Sequence, residues 1–155
     1  MIKINVLIRD QNWKKYIKKP EVYLKNKIKS LNKKDKFFKN RNVNFTLLLS
    51  DNKEIRKINK KFRKKNNATD VLSFPFYEKK ELKRLFKKKS SFYLGDIVIS
   101  LNKIINNSNN NKNFKIKFDK LWLHGLVHLL GHRHKFDKDY LKMKRVENRF
   151  FNSIK

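Results

Sequence analysis

The chain contains no cysteine, which excludes disulfide bridges and thiolate metal sites and permits a reducing compartment. No apolar run approaches the length needed to cross a bilayer. Acidic residues are scarce, with 13 Asp and Glu set against 42 Lys and Arg and a formal net charge of +29. That imbalance argues against a cationic substrate. It favours a polyanionic partner, RNA or DNA before others. Lys, Asn, Ile and Phe are all abundant, as drift in an A/T-rich genome produces, so charge by itself supports nucleic-acid binding only weakly. The opening "MIKINVLIRD" carries Lys3 and lacks a long apolar stretch or a small-residue cleavage site. It reads as a strand rather than a signal peptide, and the cytoplasm is the default location. Histidine is scarce too, and all four histidines of the 155-residue chain lie in "HGLVHLLGHRH", residues 124–134.

What is present suffices for a core. Hydrophobic residues make up 39%, including 13 Phe, 5 Tyr and 2 Trp, so one compact domain over 1–155 is expected. Ile2, Ile4, Val6 and Ile8 alternate as in a strand. Pro20 suits the first turn of a helix running to about Leu31. Residues 33–42 form a polar connection, and "VNFTLLLS" (43–50) is a second strand. Asp51, with Glu54 three residues on, has the pattern of a capping box for the next helix. Residues 64–70 break that helix. Residues 71–76 are then short and extended, with Pro75 suited to an edge or strand end. The charged stretch 77–91 reads as loop with some helix, 92–100 as a strand, and the Asn-rich 106–113 as a surface loop. Helices are expected from about Phe118 to Leu130 and from about Asp137 to Phe151. Strands and helices mix without strict alternation, so the expected class is α+β.

His124 and His128 are four residues apart, which on a helix puts both imidazoles on one face. Gly131 can take the left-handed conformation that ends a helix, and the chain can then turn back and deliver His134. Three imidazoles from a helix and its following turn leave a fourth position open on a metal ion, the arrangement of catalytic zinc. Other divalent transition metals bind such a set as well. His132, between two candidate ligands, reads as a polar loop residue. The H-x-x-x-H-x-x-G-x-x-H spacing equals that of metzincin metalloproteases, but their general-base Glu is replaced by Gly125. The ligand scaffold without the peptidase base points to a metal-assisted reaction such as phosphodiester cleavage.

Three blocks, in order, resemble the YbeY family of bacterial rRNA maturation endoribonucleases. "HGLVHLLGHRH" resembles its H-G-x-x-H-L-x-G-y-D-H signature. "INKKFRKKNNATDVLSFPF" (58–76) resembles its L-N-x-x-[YF]-R-x-x-d-x-P-T-D-V-L-S-F-P, and "LGDIVIS" (94–100) its G-D-[IL]-x-I strand. Met143 and Glu147 match its M-x-x-x-E. The resemblance implies a small mixed β-sheet packed with helices and a metal at one end of a cleft. It implies metal-dependent cleavage of single-stranded RNA, in maturation of the 16S rRNA 3′ end and in ribosome quality control. One Zn²⁺ is implied on His124, His128 and His134. Arg63 is implied as the functional arginine, its planar fork suited to phosphate. Thr69, Asp70 and Ser73 are implied as cleft and substrate contacts. Implied partners are the small ribosomal subunit, one of its proteins and the GTPase Era. This chain departs from the pattern where Arg133 replaces the family's Asp, His132 the preceding aromatic, and Ala68 a Pro. The residues alone leave two rivals: an RNA-binding assembly factor with a structural metal and little cleavage of its own, and a metallohydrolase acting on peptides, which Gly125 opposes.

Overall fold

Alternating apolar residues and parallel crossovers build a four-stranded sheet. In the computed structural model, which describes residues 1–155, β1 (Ile2–Ile8) and β2 (Val43–Ser50) pair in parallel. β4 (Phe92–Ser100) pairs in parallel with β2, and β3 (Val71–Pro75) closes the far edge antiparallel to β4, giving the order β1-β2-β4-β3. The helices are α1 (Trp13–Tyr16), α2 (Pro20–Lys34), α3 (Asn52–Arg63), α4 (Lys79–Lys87), α5 (Leu101–Asn106), α6 (Asn111–Leu129) and α7 (Asp137–Ile154). The α+β class and the mixed sheet are as the sequence led us to expect.

Strand periodicity divides the sheet into two faces. Ile97 and Ile99 of β4 join the main core with Leu47 and Leu49 of β2, under Trp122, Leu126 and Leu129 of α6 and Met143 and Phe150 of α7. Val98 and Leu72 face the other way and pack on Ile55 of α3. So β3 and β4 lie between α3 on one face and α6 on the other. Pro75 stands at the end of an edge strand, where its missing N–H costs no ladder bond.

Two buried carboxylates fix the helices that carry the site. Asp119 of α6 accepts from the Tyr23 hydroxyl (2.9 Å) and the Trp122 indole (3.0 Å), and it pairs with Lys27. Asp35, just past α2, accepts from Arg149 of α7 at 2.8 Å. A buried carboxylate is tolerated when its oxygens are filled in this way.

Several element limits differ from the sequence reading. Asp51 caps α3 by accepting from the Glu54 amide at 2.8 Å, but the Glu54 side chain pairs with Arg9 instead of closing the box. The charged stretch 77–91 holds a regular helix, α4, whose own capping box is Glu78 and Glu81. α6 starts at Asn111 rather than Phe118, because the Asn110 side chain caps it by accepting from the Asn113 amide at 2.8 Å. The Asn-rich loop is therefore partly a helix start.

Candidate metal centre and its cleft

The helix α6 ends in a Schellman turn. The His132 amide donates to the Val127 carbonyl (3.2 Å) and the Gly131 amide to the His128 carbonyl (2.9 Å), with Gly131 at φ +87°. This turn folds the chain back over the face bearing His124 and His128. His134 arrives beside them, its ring centroid 5.1 Å from that of His128 and 5.8 Å from that of His124. One nitrogen from each of the three rings lies within 4.8 Å of the others, a grouping that could hold a metal ion.

The ring tautomers are set by the nitrogens facing away. Nδ1 of His124 donates to Oε1 of Glu147 on α7 at 2.6 Å. Nδ1 of His128 donates to the His132 carbonyl at 2.9 Å. With both Nδ1 atoms protonated, both Nε2 atoms carry lone pairs, and these face each other across 3.1 Å. Two lone pairs so placed repel unless a cation lies between them. Nitrogens that share a tetrahedral zinc at roughly 2.0–2.1 Å stand about 3.3 Å apart, so the His124–His128 pair has the spacing for such an ion. A proton is a poor substitute. Burial, and then the charge of a protonated His124, push His128 down to about 4, so it is neutral near pH 7. Burial works to raise the Glu147 pKa, but the hydrogen bond from His124 and the charges of His124 and Lys144 outweigh it, so the carboxylate stays ionised. Carboxylate–imidazole pairs of this kind orient metal ligands and raise their basicity.

Gly125, although next to His124 in the chain, does not line the histidine cleft. A Cβ there would stand 2.7 Å from Cγ2 of Ile97, so the missing side chain lets α6 press against β4. Its carbonyl accepts from the Ser73 hydroxyl at 3.4 Å, tying α6 to β3. A glutamate at this position would point into the sheet.

The three histidines open into a cleft of about 660 Å³. Arg63 comes to it from the last turn of α3, on the opposite face of the sheet. The residue as a whole is exposed. Its guanidinium donates to the Ser73 carbonyl at 2.7 Å and lies 5.6 Å from the Phe74 ring. Asp70 and Ser73 also line the cleft. Thr69 stands outside the lining and donates to Asp70 Oδ1 at 3.3 Å. Arg133 and His132, two of the three departures from the family pattern, line the cleft, whereas Ala68 does not. Glu147 is the functional residue that residue-level reasoning missed. Its only sequence signal was its place in M-x-x-x-E.

The family model described as endoribonuclease YbeY matches residues 7–155. The chain belongs to the YbeY family. A relative from Pelagibacter ubique, named endoribonuclease YbeY, is 46% identical over all of this chain and 97% of its own length. One of the same name from Fusobacterium nucleatum is 33% identical over 85% of this chain and 80% of its own. The solution structure of a Thermotoga maritima protein superposes with a TM-score of 0.60 at 22% identity, covering 99% of this chain and 89% of that one, which supports the fold. No helix is long and apolar enough to cross a membrane.

Proposed function

We propose that this YbeY-family protein is a zinc-dependent endoribonuclease of single-stranded RNA that acts in 16S rRNA 3′ end maturation and ribosome quality control in the cytoplasm. The observation that carries the reading is that Arg63 and the three histidines, from opposite faces of the sheet, line one cleft. The names of its relatives support the endoribonuclease part of this reading.

His124, His128 and His134 would hold the ion, and zinc suits an all-imidazole set. A bound divalent ion supplies Lewis acidity toward a phosphoryl oxygen and acidifies a water. Glu147 and the His132 carbonyl hold the His124 and His128 rings with Nε2 inward. Arg63 presents two parallel N–H donors to the nonbridging oxygens, where negative charge grows in the transition state. Asp70, the one carboxylate lining the cleft, and Ser73 contact the substrate, and Thr69 positions Asp70. Phe62, Phe76 and Phe136 are exposed next to lining residues, where aromatic faces stack on unpaired bases.

The rivals fit less well. A structural zinc site is closed by four protein ligands, whereas this set has three and the His134 ring is exposed. A peptidase of this histidine spacing carries its general-base Glu directly after the first histidine, and here that position is Gly125, which faces Ile97.

The test incubates metal-loaded protein with a single-stranded RNA and a matched duplex, beside His124→Ala and Arg63→Glu. Cutting of the single strand alone, lost in both variants, is expected. Tight binding with no cutting by any form would replace this reading with the assembly-factor one. Elemental analysis should give about one zinc per chain, lost in His128→Ala.

A further inference from the structure

A second cleft, of about 690 Å³, lies beside the first. Pro75, His128, His132 and Arg133 line both, so the two share a wall and meet at a candidate metal ligand. The new cleft is bounded by Lys79, Lys80 and Lys83 around α4 and by Lys142 of α7. α4 is anchored there by Leu82, which is buried in the core. It also sits tightly on the Gly131 turn, where an added Cβ would lie 3.3 Å from the Lys79 Cβ.

The charge facing this cleft is one-sided. With Arg133, five cations line it, against the carboxylates of Glu78 and Asp139. None of the five belongs to an ion pair, since the chain's salt bridges use Arg9, Lys27, His124, Lys144 and Arg149. Glu78 is committed to its capping box, and Asp139 sits in the first turn of α7, where the helix dipole holds a negative charge. Free lysines along a groove suit a run of phosphates, and they grip backbone without reading bases.

An endonuclease breaks a bond inside a strand, so nucleotides on both sides of the cut need a place to lie. We propose that the lysine cleft binds the ribose-phosphate backbone on one side of the broken bond and the Arg63 cleft binds it on the other. One RNA strand then runs past the three histidines and over the His132–Arg133 wall. This strand path rests on the endoribonuclease reading above.

The test compares Lys80→Glu/Lys83→Glu with a control of equal charge change, Lys25→Glu/Lys29→Glu, whose lysines line a separate groove beside β1. All four lysines are exposed, so both variants should keep the wild-type circular dichroism. The probe is a fluorescent single-stranded RNA of about twenty nucleotides with full-length, zinc-loaded protein. In the groove variant, Kd at fixed salt should rise about tenfold and the slope of log Kd against log salt should fall by about 1.4, two phosphate contacts at about 0.7 each. KM for cleavage should rise in step while kcat moves less than about twofold. The control should change Kd less than about twofold and leave the slope alone. Equal weakening in both variants, or an unchanged slope in the groove variant, overturns the strand path while wild-type cutting preserves the endoribonuclease reading. Binding with the predicted slope loss but no cutting by wild type overturns the endoribonuclease reading and keeps the path. No binding by wild type overturns both.

Discussion

Oε1 of Glu147 accepts a 2.6 Å hydrogen bond from Nδ1 of His124, across 23 residues of sequence and from a different helix. The contact fixes which nitrogen of His124 faces the candidate ion. Glu147→Gln keeps an acceptor but removes the charge, and should weaken zinc binding about tenfold. Glu147→Ala should weaken it about a hundredfold. Competition with a chromophoric chelator measures both. An unchanged affinity in the alanine variant would show that the carboxylate has no part in holding the ring.

Arg63 should act on turnover and little on stability. It is an exposed residue whose guanidinium makes one hydrogen bond, to the Ser73 carbonyl. Arg63→Ala should lower kcat/KM on single-stranded RNA by about 10²–10³. Arg63→Lys, which keeps the charge but not the fork, should fall between. The urea midpoint of both should stay close to wild type.

Gly125 should report packing, not chemistry. Gly125→Ala places a methyl 2.7 Å from Ile97 Cγ2 and should cost about 1–3 kcal/mol in urea unfolding. Gly125→Glu rebuilds the metalloprotease spacing, yet it drives a charge into the sheet and should give little folded protein and no casein hydrolysis. A folded, proteolytic Gly125→Glu would contradict the placement of this residue.

Phe76 and Phe136 are 67% and 65% exposed, so truncating them removes contact surface without opening the core. Phe76→Ala and Phe136→Ala should each weaken single-stranded RNA binding by about 1–3 kcal/mol per stacked base and leave duplex binding alone. Fluorescence anisotropy with the two RNA forms separates the cases.

The sequence made some of this legible and left the rest to tertiary structure. Pro20, the Asp51 cap and the Gly131 stop were legible because each acts on backbone within a few residues of itself. The histidine grouping was visible because helix period and turn chemistry are local. The extent of α4 was hard to read because lysines crowd its exposed side and leave Leu82 as its one buried residue. The early start of α6 was hidden because asparagine suits both loops and helix caps, and only Asn110 caps. The role of Glu147 depends on how α7 lies against α6. The direction of Gly125 depends on Ile97, and neither is written in a short window. Arg133 stands where the family pattern has an Asp. Support for two of the rings comes from elsewhere: Glu147 accepts from His124 and the His132 carbonyl from His128.

The bend that follows Leu130 performs three tasks with the same few atoms. It closes α6 through the Gly131 and His132 amides, steadies His128 through the His132 carbonyl, and brings His134 into range. A cation gripped by these rings therefore latches the helix terminus, and unravelling of the last turn and release of the cation become a single event. Zinc should slow deuterium uptake at the Gly131 and His132 amides far more than at amides in the middle of β2.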